Sequence, residues 1–319
     1  MKYFTVGKQK LSKYCLGTWS LGGEEKNNIS YGNINRTKAE NLLRYAYARG
    51  INFFDTANVY GSAEKRLGHV FKDIREKVFI ANKVGCTSFK KKLNFSKKLI
   101  DKQLETSIKN LNTKYLDLVQ LYDPDPNDNN LKQCIKHLHK KKKDGTIRFI
   151  GISLRQPADY IKLRKLYNFD AIQCNFNVLD QRVLDPKILK LLRKDKVKIF
   201  ARTILNFGIF TNEFVDKNIK FKKNDHRYKW DKKQVLLWKE HIKKLKYISS
   251  RPIENTCYRF CNSFNMSSLI FGANSKKHID IAIKNGNKKL KKKELSRINY
   301  VYKAFSKNIM LKPKIPIKQ

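Results

Sequence analysis

The sequence predicts an α/β fold, a (β/α)8 TIM barrel with an N-terminal β-hairpin cap and C-terminal helices, and three observations carry that prediction. Strand-like and helix-like runs alternate eight times, the pattern of parallel βα units. The strand-like runs are almost continuously apolar, as strands covered on both faces must be. The 319 residues, 41% of them hydrophobic, suit a barrel filling one large core, so residues 1–319 are expected to form a single domain.

The elements follow in chain order. Phe4-Thr5-Val6-Gly7-Lys8-Gln9-Lys10-Leu11 reads as a hairpin turning at Gly7, so residues 1–13 are expected to cap the bottom of the barrel. The eight strands are predicted at 14–21, 52–57, 78–84, 115–122, 148–154, 171–177, 198–205 and 267–273. Trp19 is expected at the rim, as a flat wall for a substrate or as a packing residue. Gly22-Gly23 reads as a turn. Between the third and fourth strands, Ile100, Leu104, Ile108 and Leu111 share one face of a helix over 97–111. A helix over 131–143 turns Leu131, Ile135 and Leu138 inward and ends in four lysines before Asp144-Gly145. Cations at a helix C-terminus oppose the negative end of its dipole, and Gly145 supplies a stop, so the lysine run needs no ligand to explain it. The longest irregular stretch is 206–230, and long loops inside compact domains are often functional. The tail 311–319, with Pro313 and Pro316, is expected to be poorly ordered or to wrap the barrel top.

The net charge is +43, from 70 basic and 27 acidic residues. The lysines spread along the whole chain instead of gathering in one tail or face, so a solvated surface is expected in place of a specific nucleic-acid partner. Salt-sensitive adhesion to polyanions follows from charge alone. No run of about 18 or more apolar residues is present, so no membrane span is expected. The amino terminus lacks an apolar signal core, which points to a cytoplasmic protein. Cys15, Cys86, Cys134, Cys174, Cys257 and Cys261 are scattered, and only the last two are close; reduced thiols are expected, with neither disulfides nor a zinc site.

The chemistry gathers at strand ends. Strand 52–57 delivers Asp55 and, five residues on, Tyr60; strand 78–84 ends on Lys83. Reactive residues of such barrels stand at the carboxyl ends of the strands, where Asp55, Tyr60, Lys83 and Tyr122 all fall. A free phenol titrates near ~10. A neighbouring ammonium favours the phenolate and lowers that value, so Lys83 has a reason to sit beside Tyr60, with Asp55 holding it charged and oriented. Singly, each is an ordinary loop tyrosine, strand-end lysine or capping aspartate. Together they suit proton transfer to a carbonyl oxygen.

The phrase Phe54-Asp55-Thr56-Ala57 through Tyr60-Gly61, followed by Asn82-Lys83, resembles the aldo-keto reductases, and the likeness runs over nearly the whole chain. The resemblance implies reduction of an aldehyde or ketone by hydride from NADPH (NADH possible), with Tyr60 as general acid assisted by Lys83 and Asp55. In Leu118-Val119-Gln120-Leu121-Tyr122-Asp123-Pro124-Asp125-Pro126, Tyr122 occupies the slot where family members usually carry histidine. Its hydroxyl can donate a hydrogen bond but carries no positive charge near neutral pH. Ser153, Gln173 and Asn175 resemble the residues that hold the nicotinamide carboxamide, and Leu154 stands where asparagine is common. Arg202 replaces an aromatic residue beside the nicotinamide, while Leu205 and Gly208 open the loop that folds over the pyrophosphate. Phe271-Gly272-Ala273-Asn274-Ser275-Lys276-Lys277-His278 resembles the segment that binds the adenosine 2′-phosphate. Gly272, Lys276, Lys277 and His278 are its expected contacts, the lysines acting as point charges. The implied partner is a small-molecule carbonyl substrate, with no specific nucleic acid and no membrane. A nicotinamide-nucleotide sensor or regulatory subunit, catalytically weakened by Tyr122, is the alternative. His69, His137, His139, His241 and His278 are expected on helix surfaces, and His226, in the phrase Asn224-Asp225-His226-Arg227-Tyr228-Lys229-Trp230, is not assigned to catalysis.

Overall fold

The computed structural model describes residues 2–23, 30–217 and 219–307; the predicted tail 311–319 lies outside them. Two short strands, β1 (Tyr3–Val6) and β2 (Gln9–Ser12), pair antiparallel around Gly7, which takes a φ of +55°. A Cβ on Gly7 would stand 2.8 Å from Cζ of Phe149, so the turn needs glycine for space as well as for conformation. Val6 and Leu11 from this hairpin join Phe53, Phe79, Leu118 and Phe200 in an apolar cluster of their own. The Phe4 ring closes against Phe53 and Phe200, with centroids 6.2 and 5.9 Å away. The predicted cap is therefore a stopper pressed into one end of the barrel.

The barrel strands are β3 (Tyr14–Gly17), β4 (Phe53–Asp55), β5 (Phe79–Val84), β6 (Leu116–Tyr122), β7 (Ile147–Leu154), β8 (Ala171–Asn175), β9 (Lys198–Arg202) and β10 (Ser268–Gly272). They close in the order β10-β3-β4-β5-β6-β7-β8-β9, all neighbours parallel. Helices α1 (Arg36–Ala48), α2 (Ala63–Phe71), α3 (Lys97–Asn110), α4 (Leu131–Lys143), α5 (Tyr160–Leu163) and α6 (Pro186–Lys194) link successive strands. After β9 come α7 (Asn212–Asp216), α8 (Lys232–Lys243) and α9 (Ile253–Asn262), and after β10 come α10 (Lys276–Lys284) and α11 (Lys292–Lys307).

Local signals explain the boundaries. Asn35 caps α1 by accepting from the amide of Lys38 at 2.8 Å, and Asp185 caps α6 just before Pro186. The inward faces of α3 and α4 are those the periodicity predicts: Ile100, Leu104, Leu131, Ile135 and Leu138 are buried. Gly145 follows α4 at a φ of +81°, with Asp144 as the C-cap. Five strands end earlier than predicted, the second at Asp55 and the eighth at Gly272 among them. The first stops at Gly17 because Thr18 bonds the Asp55 carbonyl through both its amide and its hydroxyl, at 2.9 Å each, and the chain turns there. The sixth stops at Asn175, and the seventh at Arg202, where Thr203 enters the left-handed region at +61°. The loop 206–230 is more regular than expected, holding α7 and short turns at Asn206–Gly208 and His226–Lys229. All six cysteines are buried and unbridged. No described helix is long and apolar enough to cross a membrane.

Candidate active site

Strand register brings the predicted groups together. Lys83 is opposite Gln120 and Ser153 is opposite Gln173, and side chains two residues apart share a face. Lys83 reaches both oxygens of Asp55 at 2.7 Å and the Thr56 carbonyl at 3.1 Å. Lys83 is 3% exposed and Asp55 4%, so this is a buried ion pair whose three ammonium protons all find acceptors. Gln173 donates to Asp55 Oδ1 at 2.7 Å, and Ser153 Oγ approaches Gln173 Oε1 at 3.4 Å. Asp55, Lys83, Gln173 and Ser153 thus form one chain of polar contacts across β4, β5, β8 and β7.

Tyr60 lies above this chain, in the turn between β4 and α2. The Lys83 Nζ stands 5.0 Å from the centroid of its ring. The turn is held by Tyr60 N–H to the Ala57 carbonyl at 3.0 Å and Ser62 N–H to the Gly22 carbonyl at 2.7 Å. Gly22 is more than a turn residue: a Cβ there would fall 1.9 Å from the Tyr60 carbonyl oxygen. Gly61, at a φ of +57°, meets the Gly22 backbone from the other side. Two glycines therefore let the loop after β3 press directly on the Tyr60 turn.

The electrostatics differ from the sequence expectation. Burial pushes the Tyr60 phenol above its ordinary value, Asp55 adds to the rise, and Arg202 opposes it. The charge of Lys83 is already matched by Asp55 and does not dominate the phenol. Tyr122, 9% exposed at the end of β6, is likewise pushed up by burial, with Tyr60 adding and Arg202 opposing. Both phenols carry their protons at neutral pH.

The residues expected to face a cofactor fall in two places. Ser153, Gln173, Asn175 and Arg202 stand at the ends of β7, β8 and β9. There Asn175 Oδ1 and Arg202 Nε are buried without a partner, while Arg202 Nη2 donates to the Leu154 carbonyl at 3.2 Å. Leu205 and Gly208 bracket a turn in which Asn206, Phe207 and Gly208 all have positive φ. Gly272, Lys276, Lys277 and His278 are exposed on the rim, at the end of β10 and in the first turn of α10, which Ser275 caps.

An aromatic enclosure covers the mouth, and the sequence alone did not reveal it. Trp19 has the rings of Tyr31, Tyr60, Phe89, Phe207 and His226 around it at 5.4, 6.2, 5.9, 5.9 and 4.5 Å. His226 also meets Tyr31 and Trp230, and neither ring nitrogen has a hydrogen-bond partner. Burial pushes its imidazole from 6.5 down to about 3, with Asp225 opposing and Arg227 adding. Because the folded value lies below the unfolded one, this group's contribution to stability is complete above about 6.5 and is lost as the pH falls toward 3. His226→Phe is therefore expected to lose less of its urea midpoint between neutral and acidic pH than the wild type. Parallel pH slopes would contradict this. His241, expected on the surface, is instead buried, with Nδ1 at 2.9 Å from the Leu237 carbonyl.

The family model of the "Aldo/keto reductase family" matches residues 13–303. The chain belongs to the aldo/keto reductase family. Among curated relatives, a probable aldo-keto reductase 1 of Glycine max is 28% identical over 213 residues, covering 62% of this chain and 61% of that protein. The uncharacterized oxidoreductase YqkF of Bacillus subtilis is 29% identical, covering 65% of each. The D-arabinose 1-dehydrogenase of Saccharomyces cerevisiae is 28% identical, covering 64% of this chain and 67% of that one. The chain thus spans less than two thirds of the length of the first two. Among solved structures, the glycerol dehydrogenase AKR11B4 of Gluconobacter oxydans superposes with a TM-score of 0.79 at 20% identity, over 97% of both chains. The holo form of aldo-keto reductase AKR11C1 of Bacillus halodurans gives 0.76 at 21%, over 94% of this chain and 96% of that one. At such identities these two speak for the fold. As an aldo/keto reductase, this chain carries Tyr122 at the end of β6, in the position described above.

Proposed function

We propose that this aldo/keto reductase is an NAD(P)H-dependent oxidoreductase that reduces an aldehyde or ketone to an alcohol. The observation that carries the reading is the buried Asp55–Lys83 pair beneath a protonated Tyr60, at the carboxyl ends of β4 and β5. Ser153, Gln173 and Asn175 would hold the nicotinamide end of the cofactor, Arg202, Leu205 and Gly208 its middle, and Gly272, Lys276, Lys277 and His278 its phosphate end. The unpartnered Asn175 Oδ1 and Arg202 Nε fit that role, since buried polar atoms are otherwise paired. A reduced nicotinamide supplies the hydride in such a reaction.

The protein's own part is proton delivery. Tyr60 keeps its proton until the carbonyl oxygen gains negative charge, then gives it up. Lys83 and Arg202 favour the phenolate that results, and Asp55 holds Lys83 in place. Tyr122 donates a neutral hydrogen bond that orients the carbonyl, and Trp19 supplies a flat wall. NADPH is preferred in this reading, because Lys276 and Lys277 offer two cations at the helix end. The six unbridged thiols support a reducing, cytoplasmic location.

The test is a single-turnover reaction. Protein loaded with NADPH is mixed with a panel of activated aldehydes, and loss of the reduced nicotinamide is followed. Aldehyde-dependent oxidation is expected. Binding of NADPH without oxidation by any aldehyde would replace the reading with a nucleotide sensor, which Tyr122, unable to carry positive charge, favours as the second possibility.

A further inference from the structure

We propose that Glu64 is a positioning residue, one buried carboxylate that sets the distance between Tyr60 and Lys83 by gripping the asparagine beside each. The inference rests on the oxidoreductase reading above and concerns a residue to which that reading gives no part.

Glu64 lies in the first turn of α2 and is 1% exposed. No lysine or arginine makes a salt bridge with it among the described residues; neutral donors surround it instead. Asn82 Nδ2 reaches Oε1 at 2.6 Å and Ser107 Oγ reaches the same oxygen at 2.8 Å. Asn58 Nδ2 lies 3.1 and 3.0 Å from the two oxygens, and Asn110 Nδ2 lies 3.0 Å from Oε2. Asn58 is two residues before Tyr60, and Asn82 is the residue before Lys83. Ser107 and Asn110 belong to α3, the outer layer.

The orientation of the two amides shows what governs the cluster. Both Asn58 and Asn82 turn their NH2 groups inward and leave their own Oδ1 atoms buried without a partner. A buried carbonyl left unpaired costs about 1–3 kcal/mol, so the donors face an acceptor-only group strong enough to offset that loss twice. Each oxygen has its donors in place, as a buried charge without a counter-ion requires. The Tyr60 turn is also held by the Gly22 contact, its own short-range bonds, the packing of its ring on Trp19 and the Asn58 bond to Ser107 Oγ at 2.8 Å. Glu64 ties that turn to β5, and hence to Lys83.

Asn58 and Asn110 allow a paired test, with the Asn58 bond to Ser107 Oγ at 2.8 Å as the one further contact that differs. Asn58→Ala and Asn110→Ala each remove one amide from the same carboxylate, but only Asn58 lies on the Tyr60 turn. In the full-length protein, Asn58→Ala is expected to lower kcat at least tenfold, with the Kd for NADPH within twofold of wild type. Asn110→Ala is expected to lower Tm similarly while kcat stays within twofold. Glu64→Gln, which opposes an NH2 to donors, is expected to follow Asn58→Ala if it folds; the asparagine pair decides if it does not. Amide hydrogen exchange over residues 57–62 gives a readout independent of turnover: faster in Asn58→Ala, unchanged in Asn110→Ala. Equal kcat and equal exchange in the two variants, with the wild type active, would overturn the positioning role and leave the reductase reading standing. An inactive wild type whose Tyr60 turn loosens only in Asn58→Ala would overturn the reductase reading and leave the network standing.

Discussion

Tyr60→Phe is expected to remove aldehyde reduction, lowering kcat by about 10²–10⁴-fold, while the protein still binds NADPH as the wild type does. In the proposed reaction the phenol delivers the proton beside the Lys83 ammonium, and its hydroxyl stays protonated in its enclosure. Phenylalanine keeps the ring that packs at 6.2 Å from Trp19, so the aromatic enclosure and the fold should be unaffected. The measurement is single-turnover oxidation of NADPH alongside fluorescence titration of the same cofactor. Wild-type turnover in the variant would remove Tyr60 from the mechanism, and loss of cofactor binding would make it a binding residue.

Asp55→Ala is expected to cost about 3–5 kcal/mol of stability, because it leaves the Lys83 ammonium buried with only the Thr56 carbonyl. Activity should disappear with it. The informative comparison is Asp55→Leu with Lys83→Met. Replacing both charges with apolar groups of similar size is often neutral for stability, so the double variant should regain most of its urea midpoint. Its turnover should not return. Recovery of turnover along with stability would mean that the pair serves folding alone. A double variant no more stable than Asp55→Ala would locate the loss at Gln173, which also bonds Asp55.

The strands were legible because parallel strands covered on both sides are nearly continuous apolar runs; Leu116–Tyr122 is buried at every position, with only Asp117 and Gln120 breaking the apolar run. Their ends were less so. The stop at Gly17 depends on Thr18 bonding to Asp55, thirty-seven residues away, and no local pattern carries that information. The same division holds at the site. Asp55, Tyr60, Lys83 and Tyr122 were readable as neighbours because they lie at or just beyond the carboxyl ends of strands, where the topology brings them together. Glu64 and His226 were not, because their surroundings come from segments distant in sequence. Glu64 reads locally as an acidic residue in the first turn of a helix. The Glu64 cluster needs Ser107 and Asn110 from α3, and the His226 cage needs Trp19 and Tyr31 from the loop after β3. The rise of the Tyr60 phenol was hidden for a related reason: the sequence gives the lysine, but only packing tells how far burial outweighs it.

The hairpin seats Val6 and Leu11 in one apolar cluster with Phe53, Phe79, Ala81, Leu118 and Phe200, and Phe4 packs against it. Phe53 and Ala81 stand two residues before Asp55 and Lys83 on the same faces of their strands, so the buried ion pair rests on an apolar floor. A floor of that kind offers the two charges no polar partner from below. Their partners come instead from Gln173 and the Thr56 carbonyl.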